Sequence, residues 1–217
     1  MKKGIIIAGS RGIGLSIYKN LKKIRNLSIQ RYNSKELDTS NLDSVKKFIT
    51  NQKKKIDLLV LNTGGPPPKN FYEISEKEYF RYHIQLYYSF VYILKNLSFN
   101  KEAYIFLISS SILKEPPPNM ILSNAYRTAF LSTFKSFGKL NNNKKLNCVS
   151  IAPGAIKTDR IKKLVQNLKL FEKNLPLGKL GQPNEIGKFI KFIVNNKIKY
   201  FNGSHINFDG GQSNFLF

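Results

Sequence analysis

The sequence predicts an α/β protein in which helices cover both faces of a doubly wound parallel sheet. Three observations support this: apolar runs of strand length alternate with helix-length stretches through all 217 residues, the first run ends in a Gly-rich turn, and no linker or internal repeat divides the chain. Right-handed crossovers would place the strands side by side in a three-layer α/β/α arrangement. The length suits one core, so we expect a single domain over residues 1–217.

The first predicted element is a strand, turn and helix within residues 4–21. The apolar run Ile5–Ala8 breaks at a Gly-rich turn, after which apolar residues follow helical spacing. Such a turn leaves unpaired backbone N–H groups at a helix N-terminus, and the lack of side chains at Gly12 and Gly14 lets a pyrophosphate approach them. The pattern favours a dinucleotide site, although a tight connection alone would also produce it.

The next predicted elements bring the chain to the centre of the sheet. Residues 27–33 form a short second strand, and Asp38 follows so closely that no full crossover helix fits between them, so the fold is shortened between its second and third strands. A helix over 43–49 precedes the apolar run 56–61, which is typical of a strand buried on both faces. Gly and Pro end this strand in a loop over 62–68, and loops at the carboxyl ends of central parallel strands bind ligands.

The second half of the chain continues the alternation. Ser75 and Glu78 form a capping box for a long helix that ends near Leu97. The strand 104–108 opens into Ser109–Ser111. The remaining predicted elements are a helix over 122–140, a strand over 146–151, helical stretches to 170, a helix over 183–194 and a strand over 204–208. A helical segment thus separates each strand from the next, as a parallel sheet requires.

The formal net charge of +23 raises the question of a nucleic-acid partner. Lysines outnumber arginines by 30 to 6, 23 residues are asparagine, and the lysines are spread along the chain. Phosphate recognition favours arginine forks and interleaved aromatic residues, whereas this composition indicates a solvated basic surface. We expect no nucleic-acid partner and a positive field that favours acidic substrates; a nucleic-acid binder is the alternative that charge alone supports.

Targeting and redox signals are weak in this sequence. No stretch approaches the ~18 to 20 apolar residues that cross a bilayer, and Met1–Lys3 leads directly into a strand instead of a cleavable signal. We expect a cytoplasmic protein with no membrane partner and no metal site. The one cysteine, Cys148, lies in an apolar strand, which excludes a disulfide within one chain and indicates a buried thiol.

Several motifs resemble the short-chain dehydrogenase/reductase family along essentially the whole chain. Ala8, Gly12 and Gly14 occupy the glycine positions of its G-x-x-x-G-x-G turn, with alanine at the first. Asp38 stands where the family's aspartate meets the adenine, and residues 62–64 resemble its N-A-G turn. The other matching segments are Pro153–Thr158 (P-G-x-x-x-T), 175–186 and 209–211. The likeness is greatest to the 3-oxoacyl-carrier-protein-reductase-like members.

This resemblance implies a Rossmann-like fold and a nicotinamide dinucleotide cofactor. The positions that match the family's cofactor-binding segments are Ala8, Ser10, Arg11, Gly12, Ile13, Gly14, Asn33, Ser34, Asp38, Asn62, Thr63, Gly64, Arg127, Pro153, Gly154, Ile156 and Thr158.

The cofactor is predicted to be NADP(H). Residues 31–34, at the end of the second strand, include no acidic residue to hold a ribose 2′-hydroxyl. Arg11 adds a cation, which in the family accompanies NADP, and Asn33, Ser34 and Lys35 could bond a 2′-phosphate. The alternative is that Arg11 only solvates the turn.

The family's Y-x-x-x-K motif has no match on the helix over 122–140. Alignment by the small apolar residues at the end of the motif puts Ser123 at the position of the tyrosine and Arg127 at that of the lysine. Ser110 then stands thirteen residues before Ser123, which is the separation of the family's catalytic serine from its tyrosine. Gln85 corresponds to the family's structural asparagine. The resemblance therefore implies a divergent branch in which the catalytic serine, Ser110, is kept and its three partners, Gln85, Ser123 and Arg127, are changed.

Such replacements change the chemistry. In the family, a tyrosine whose pKa is lowered by lysine exchanges a proton with the substrate oxygen. A serine hydroxyl is far less acidic, and arginine cannot relay a proton. We expect Arg127 to hold an anionic group or the cofactor ribose. Tyr126 is an alternative acid, although it faces partly away from the side of the helix that Ser123 and Arg127 share.

Taken together, the residues favour an NADP(H)-dependent oxidoreductase for a small acidic carbonyl compound or alcohol. The alternative is a catalytically silent NADP(H)-binding protein, either a sensor or a partner subunit. The helices over 76–97 and 122–140 carry apolar and aromatic residues on more than one face. In the family, these helices form the main dimer interface. We therefore expect a homodimer or homotetramer.

Overall fold

The computed structural model describes residues 1–215 and contains one parallel sheet. Its strands are β1 (Lys2–Ile6), β2 (Leu27–Arg31), β3 (Ile56–Leu61), β4 (Phe99–Ile108), β5 (Asn147–Pro153) and β6 (His205–Phe208). Their order in the sheet is β2-β1-β3-β4-β5-β6. The predicted α/β class is confirmed. β4 begins five residues before its predicted start. The apolar pattern did not indicate these residues, because they are largely polar and include Glu102, which has a left-handed backbone with φ of 65°.

Helices cover both faces of the sheet. They are α1 (Gly12–Leu21), α2 (Leu42–Thr50), α3 (Glu76–His83), α4 (Ser89–Asn96), α5 (Ile121–Leu140), α6 (Asp159–Leu164), α7 (Leu168–Lys173) and α8 (Pro183–Asn195). A π-helical segment, Ile84–Tyr88, joins α3 to α4, so the predicted long helix is continuous but contains a wider turn. No helix within residues 1–215 is long and apolar enough to span a membrane.

Two hydrophobic cores lie on opposite faces of the sheet. Successive residues of a strand point to opposite faces. Leu59 of β3 therefore packs into one core with buried residues of α2, α4 and α5, whereas Leu58 packs into the other with those of α1 and α8. Gly187 lets α8 lie close to α1, because a Cβ there would come within 2.7 Å of the Ser16 carbonyl oxygen. These contacts fix the position of α1, which begins at the Gly-rich turn.

The predicted capping box at the start of α3 is present. Ser75 Oγ accepts a hydrogen bond from the Glu78 N–H at 3.4 Å, and the Glu78 carboxylate accepts one from the Ser75 N–H at 3.0 Å. Lys69 Nζ lies 2.8 Å from the same carboxylate. The hydrogen bond from Lys69, followed by those from Ser75, lowers the pKa of Glu78 to about 2. Local sequence thus defines where this long helix begins.

The sheet reverses its direction of growth at β1. β2 lies on one side of β1 and β3 lies on the other. Open α/β sheets bind ligands in the crevice at such a point, outside the carboxyl ends of the strands. The loops after β1 and β3 therefore border the crevice, where the sequence predicts ligand binding.

Candidate active site

The turn between β1 and α1 is locked to the loop after β3. Ala8 has a left-handed backbone with φ of 51°, which costs an L-residue ~1 to 2 kcal/mol. Its carbonyl accepts a hydrogen bond from Asn62 Nδ2 at 3.2 Å. A Cβ at Gly14 would overlap this carbonyl oxygen and lie 2.9 Å from Asn62 Nδ2. Glycine at position 14 is therefore needed for the close approach of the two loops.

The N-terminus of α1 can accept an anion. Arg11, at the N-cap, makes no side-chain capping bond, and the first turn contains no acidic residue. In contrast, Asn41 caps α2 and Ser75 caps α3. Uncapped N–H groups and the helix dipole favour negative charge, so the pyrophosphate of a dinucleotide fits here. Thr158 borders the same turn, since its Cγ2 would lie 3.3 Å from a Cβ on Gly12.

The turn after β2 contains a carboxylate. Asn33 Oδ1 accepts a hydrogen bond from the Lys35 N–H at 2.8 Å, and the Glu36 carboxylate accepts one from the Asn33 N–H at 2.8 Å. The cofactor prediction, which rests on residues 31–35, did not consider Glu36. The spacing Asn-x-x-Glu, from Asn33 to Glu36, could have indicated this carboxylate. Asp38 Oδ1 accepts hydrogen bonds from the N–H and Oγ of Ser40, each at 2.8 Å.

Hydrogen bonds link the loops after β2 and β3 to the π-helical segment. Thr39, which is 6% exposed, has its Oγ1 3.0 Å from Thr63 Oγ1. Gln85 Nε2 donates to Thr63 Oγ1 at 3.3 Å and to the Gly64 carbonyl at 3.0 Å. Wider helical turns of this kind are frequent at functional sites. The predicted residues Gln85, Thr63 and Gly64 are thus in direct contact, whereas nothing in the sequence singled out Thr39.

Arg127 connects α5 to the ends of two strands. Its guanidinium donates to Ser123 Oγ at 3.3 Å, to the Ile108 carbonyl at 3.4 Å and to the Thr63 carbonyl at 3.2 Å. Ser123 lies one helical turn earlier and is 3% exposed. Burial, with a smaller contribution from the positive charge of Arg160, lowers the pKa of Arg127 to about 10. Arg127 therefore remains a cation at neutral pH.

A second arginine, which sequence reasoning missed, contacts the same loop. Arg160 of α6 donates to the carbonyls of Gly65 at 2.9 Å and Pro66 at 2.8 Å. A Cβ on Gly65 would lie 3.0 Å from Arg160 Nη2 and 3.5 Å from Arg127 Nη2, so both guanidinium groups approach one point. Burial also lowers the pKa of Arg160. Its position two residues after Thr158 is the only sequence signal that could have indicated it.

Three serines follow β4 and differ in exposure. Ser109 and Ser111 are buried, and Ser109 Oγ has no hydrogen-bond partner within residues 1–215. Ser110, between them, is partly exposed. It lies two residues after Ile108, whose carbonyl accepts the bond from Arg127. Of the three serines, Ser110 is thus the one that is partly exposed at the end of β4.

The segment after β5 completes the edge of the crevice. Gly154 packs on Asp209, because a Cβ on Gly154 would lie 2.7 Å from Asp209 Cβ. Gln212 accepts a hydrogen bond from the Ala155 N–H at 3.1 Å. Ile156, buried, pairs with Gly181 in an isolated bridge. Residues near the C-terminus thus hold the Pro153–Thr158 segment in position.

Tyr126, the alternative acid, packs away from Ser123 and Arg127. It contacts a small cluster on α3 and the start of α5, and its ring centroid lies 5.6 Å from that of His83. Burial and, to a lesser extent, Tyr79 raise the pKa of Tyr126. A phenol with a raised pKa on this side of the helix is a poor proton donor to the crevice.

The remaining predicted residues lie around the same crevice. Ser10, Arg11 and Ser34 are exposed at its rim, and Ile13 is partly buried in the first turn of α1. Residues 1–215 contain no group of three His, Cys, Asp or Glu side chains that could hold a metal.

Known proteins resemble the chain over most of its length. A family model described as enoyl-(acyl carrier protein) reductase matches residues 18–213. The chain is 27% identical to the 3-oxoacyl-[acyl-carrier-protein] reductase FabG of Chlamydia trachomatis, and the match covers 98% of this chain and 97% of that protein.

Solved structures of other proteins share the fold, and two of them are given as examples. A short chain dehydrogenase family protein from Francisella tularensis has a TM-score of 0.89 at 21% identity and matches over 98% of both chains. An NADPH-bound short chain oxidoreductase from Pseudomonas aeruginosa PAO1, which contains an atypical catalytic center, has a TM-score of 0.81 at 20% identity. That match covers 99% of this chain and 97% of the Pseudomonas chain.

The strained turn gives a test of the site's backbone. We expect Ala8→Gly to stabilise the chain, because it removes ~1 to 2 kcal/mol of left-handed strain and costs ~0.5 to 1 kcal/mol of backbone entropy. The net gain in the free energy of unfolding, about 0 to 1.5 kcal/mol, is followed by denaturant titration.

Ala129→Gly is the matched control, since Ala129 is exposed on α5 and its replacement should cost ~1 kcal/mol. An equal loss of stability in both variants would contradict the strain at Ala8.

Proposed function

The chain belongs to the short-chain dehydrogenase/reductase family of NAD(P)-dependent oxidoreductases, and on that premise we propose that it uses NADP(H) to interconvert a small acidic carbonyl compound and its alcohol at an atypical site. The observation that carries this proposal is the setting of Arg127. Its guanidinium is partly buried at the carboxyl ends of β3 and β4 and bonds Ser123. The crevice therefore offers a fixed positive charge where the family resemblance leads one to expect a tyrosine and a lysine.

Residues on the β1 side of the crevice would hold NADP(H). The uncapped N-terminus of α1 and the Gly-rich turn accept the pyrophosphate, and the exposed Arg11 supplies a cation for the 2′-phosphate. The negative charge of Glu36 would repel that phosphate. The Glu36 carboxylate, however, already accepts a hydrogen bond from the Asn33 N–H, and the neighbouring residue in the chain is the cation Lys35. The Pseudomonas neighbour's bound NADPH supports the assignment. When bound, the cofactor supplies or accepts the hydride.

The chain's own residues would bind and polarise the substrate. Ser110 Oγ donates a hydrogen bond to the carbonyl oxygen, and Arg127 stabilises the negative charge that develops on it. Ser123 accepts the Arg127 Nε–H and so orients the guanidinium. Gln85 holds the loop after β3 through Thr63. Arginine stabilises charge here and does not transfer a proton, because its guanidinium stays protonated. In the reducing direction, solvent water supplies the proton that turns the alkoxide into the alcohol.

A catalytically silent NADP(H)-binding protein is the second candidate. It is favoured by Ser123, which is 3% exposed and already bonded to Arg127, so no acidic hydroxyl faces the substrate at that position. Tight NADPH binding without NADPH oxidation in the presence of any carbonyl compound of a broad panel would favour this candidate over the enzyme.

We also propose that the chain forms a homodimer or homotetramer through α4 and α5. A groove of about 320 Å³ lies between these helices, and its apolar lining includes Val91, Leu97 and Phe137. Phe80 on α3 and Leu140 at the end of α5 are exposed. Apolar surface of this kind is typical of a protein interface.

The cofactor preference can be tested by titration. We expect NADPH to bind more tightly than NADH, and Arg11→Gln to weaken NADPH binding by ~10-fold while NADH binding is unchanged, because only NADPH carries the 2′-phosphate. Fluorescence titration of both cofactors measures these affinities. Arg25→Gln, an exposed arginine outside the crevice, controls for the loss of one positive charge. Equal or tighter binding of NADH would contradict the assignment.

The altered catalytic residues predict an order of effects. Arg127→Ala should lower kcat/KM by ~10²-fold or more, the scale of losing one preorganised charge-stabilising donor. Ser123→Ala should cost less, since its hydroxyl orients Arg127 and is too weak an acid to serve as proton donor. Steady-state kinetics with an active substrate measure both, and a nearly silent Arg127→Ala beside a strongly impaired Ser123→Ala would overturn the assignment.

The assembly is testable by light scattering. The wild-type chain should have the mass of two or four copies at micromolar concentration, and Val91→Glu should lower that mass because it brings a charge into the groove between α4 and α5. Lys95→Glu, at the rim of the same groove, is the control for charge alone. A wild-type monomer refutes the proposed assembly.

A further inference from the structure

Two partly buried guanidinium groups at the crevice, those of Arg127 and Arg160, have no carboxylate partner within residues 1–215. The ion pairs within residues 1–215 join Lys46 to Asp43, Lys69 to Glu78 and Lys199 to Glu102. Arg127 and Arg160 instead donate to backbone carbonyls and to one serine hydroxyl. Neutral acceptors offset a buried charge only in part, so this region retains an uncompensated positive charge.

The hydrogen bonds of Arg127 and Arg160 fix both guanidinium groups but do not use all of their N–H donors. A guanidinium carries five N–H donors. Arg127 uses one on each of three acceptors, and Arg160 uses one on each of two. Because both groups approach Gly65, the remaining donors of two side chains lie near the same loop. The arrangement is preorganised, since the bonds to the backbone already set the orientation of each fork.

Two like charges held this close repel each other. The charge of Arg160 contributes to the lowered pKa of Arg127, and burial lowers the pKa of both. An anion between the two groups would offset both effects. Carboxylate and phosphate are the groups that guanidinium forks recognise best, because their oxygens match the fork geometry.

This positive region is separate from the N-terminus of α1. Thr158 faces Gly12 of the turn, whereas Arg160, two residues later, bonds to the loop after β3. The crevice thus has two places for negative charge. The first suits the pyrophosphate of a dinucleotide, which leaves the second for a different ligand.

We propose that Arg160 and Arg127 together bind the anionic group of the substrate, a carboxylate or a phosphate, and that Arg160 is the specificity-determining residue. This inference rests on the proposed oxidoreductase function, because the substrate carbonyl must lie beside Ser110. In this arrangement Arg127 serves the reacting oxygen and the anion, while Arg160 serves the anion alone. Neutral carbonyl compounds of the same size would therefore bind poorly.

The test compares charged and neutral compounds of matched shape. Binding of pyruvate and methyl pyruvate, and of dihydroxyacetone phosphate and dihydroxyacetone, is measured by calorimetry on the cofactor-free wild type, Arg160→Gln and the control Arg25→Gln. We expect at least one charged compound to bind the wild type and Arg25→Gln with the same affinity, and Arg160→Gln at least ~10-fold more weakly. The same compound should bind the wild type more tightly than its neutral partner does. Pyruvate and dihydroxyacetone phosphate distinguish a carboxylate site from a phosphate site.

Three outcomes overturn the proposal: equal binding of a charged compound to the wild type and Arg160→Gln, equal binding of charged and neutral partners, or no binding of either charged compound to the wild type. If Arg160→Gln fails to fold, Arg160→Lys replaces it, since lysine keeps the charge and loses the fork. Failure of the wild type to bind NADPH in a separate titration would refute the oxidoreductase function, while the cofactor-free measurement still decides the anion site.

Discussion

The partly buried cation at Arg127 is the constraint on which the arrangement of the crevice depends. It has lost much of its hydration and receives in exchange the carbonyl oxygens of Thr63 and Ile108 and the hydroxyl of Ser123. Leaving such a charge without acceptors would cost several kcal/mol, so the ends of β3 and β4 and the first turns of α5 must keep their relative positions. A charge that organises three elements in this way also contributes a fixed positive charge to the crevice.

The positive charge of this chain has a local meaning as well as a global one. A net charge of +23 is spread mainly over surface lysines, which water and salt screen. Arg127 and Arg160 are partly buried, and screening is weaker there than at the surface. The general basic character of the surface can attract anions toward the protein, whereas the fixed guanidinium groups can select among them by geometry.

The scaffold and the site are stabilised by different parts of the chain. Two apolar cores on opposite faces of the sheet hold the strands and helices, and neither depends on Ser123 or Arg127. A fold supported in this way tolerates a changed set of residues at the carboxyl ends of its strands. The strained Ala8 and the π-helical segment with Gln85 both lie at this edge, where local irregularity is commonly associated with function.

The sequence by itself determined the α/β class, the Gly-rich turn, the capping box at Ser75, and Ser123 and Arg127 one turn apart on one helix. These features follow from hydrophobic periodicity and short spacings, which act between neighbours in the chain. Only the tertiary structure decided that Arg160, which is 95 residues from Gly65, joins Arg127 at the loop after β3. No local pattern encodes such a contact, because it exists only once the crossovers have brought the carboxyl ends of separate strands to one edge of the sheet.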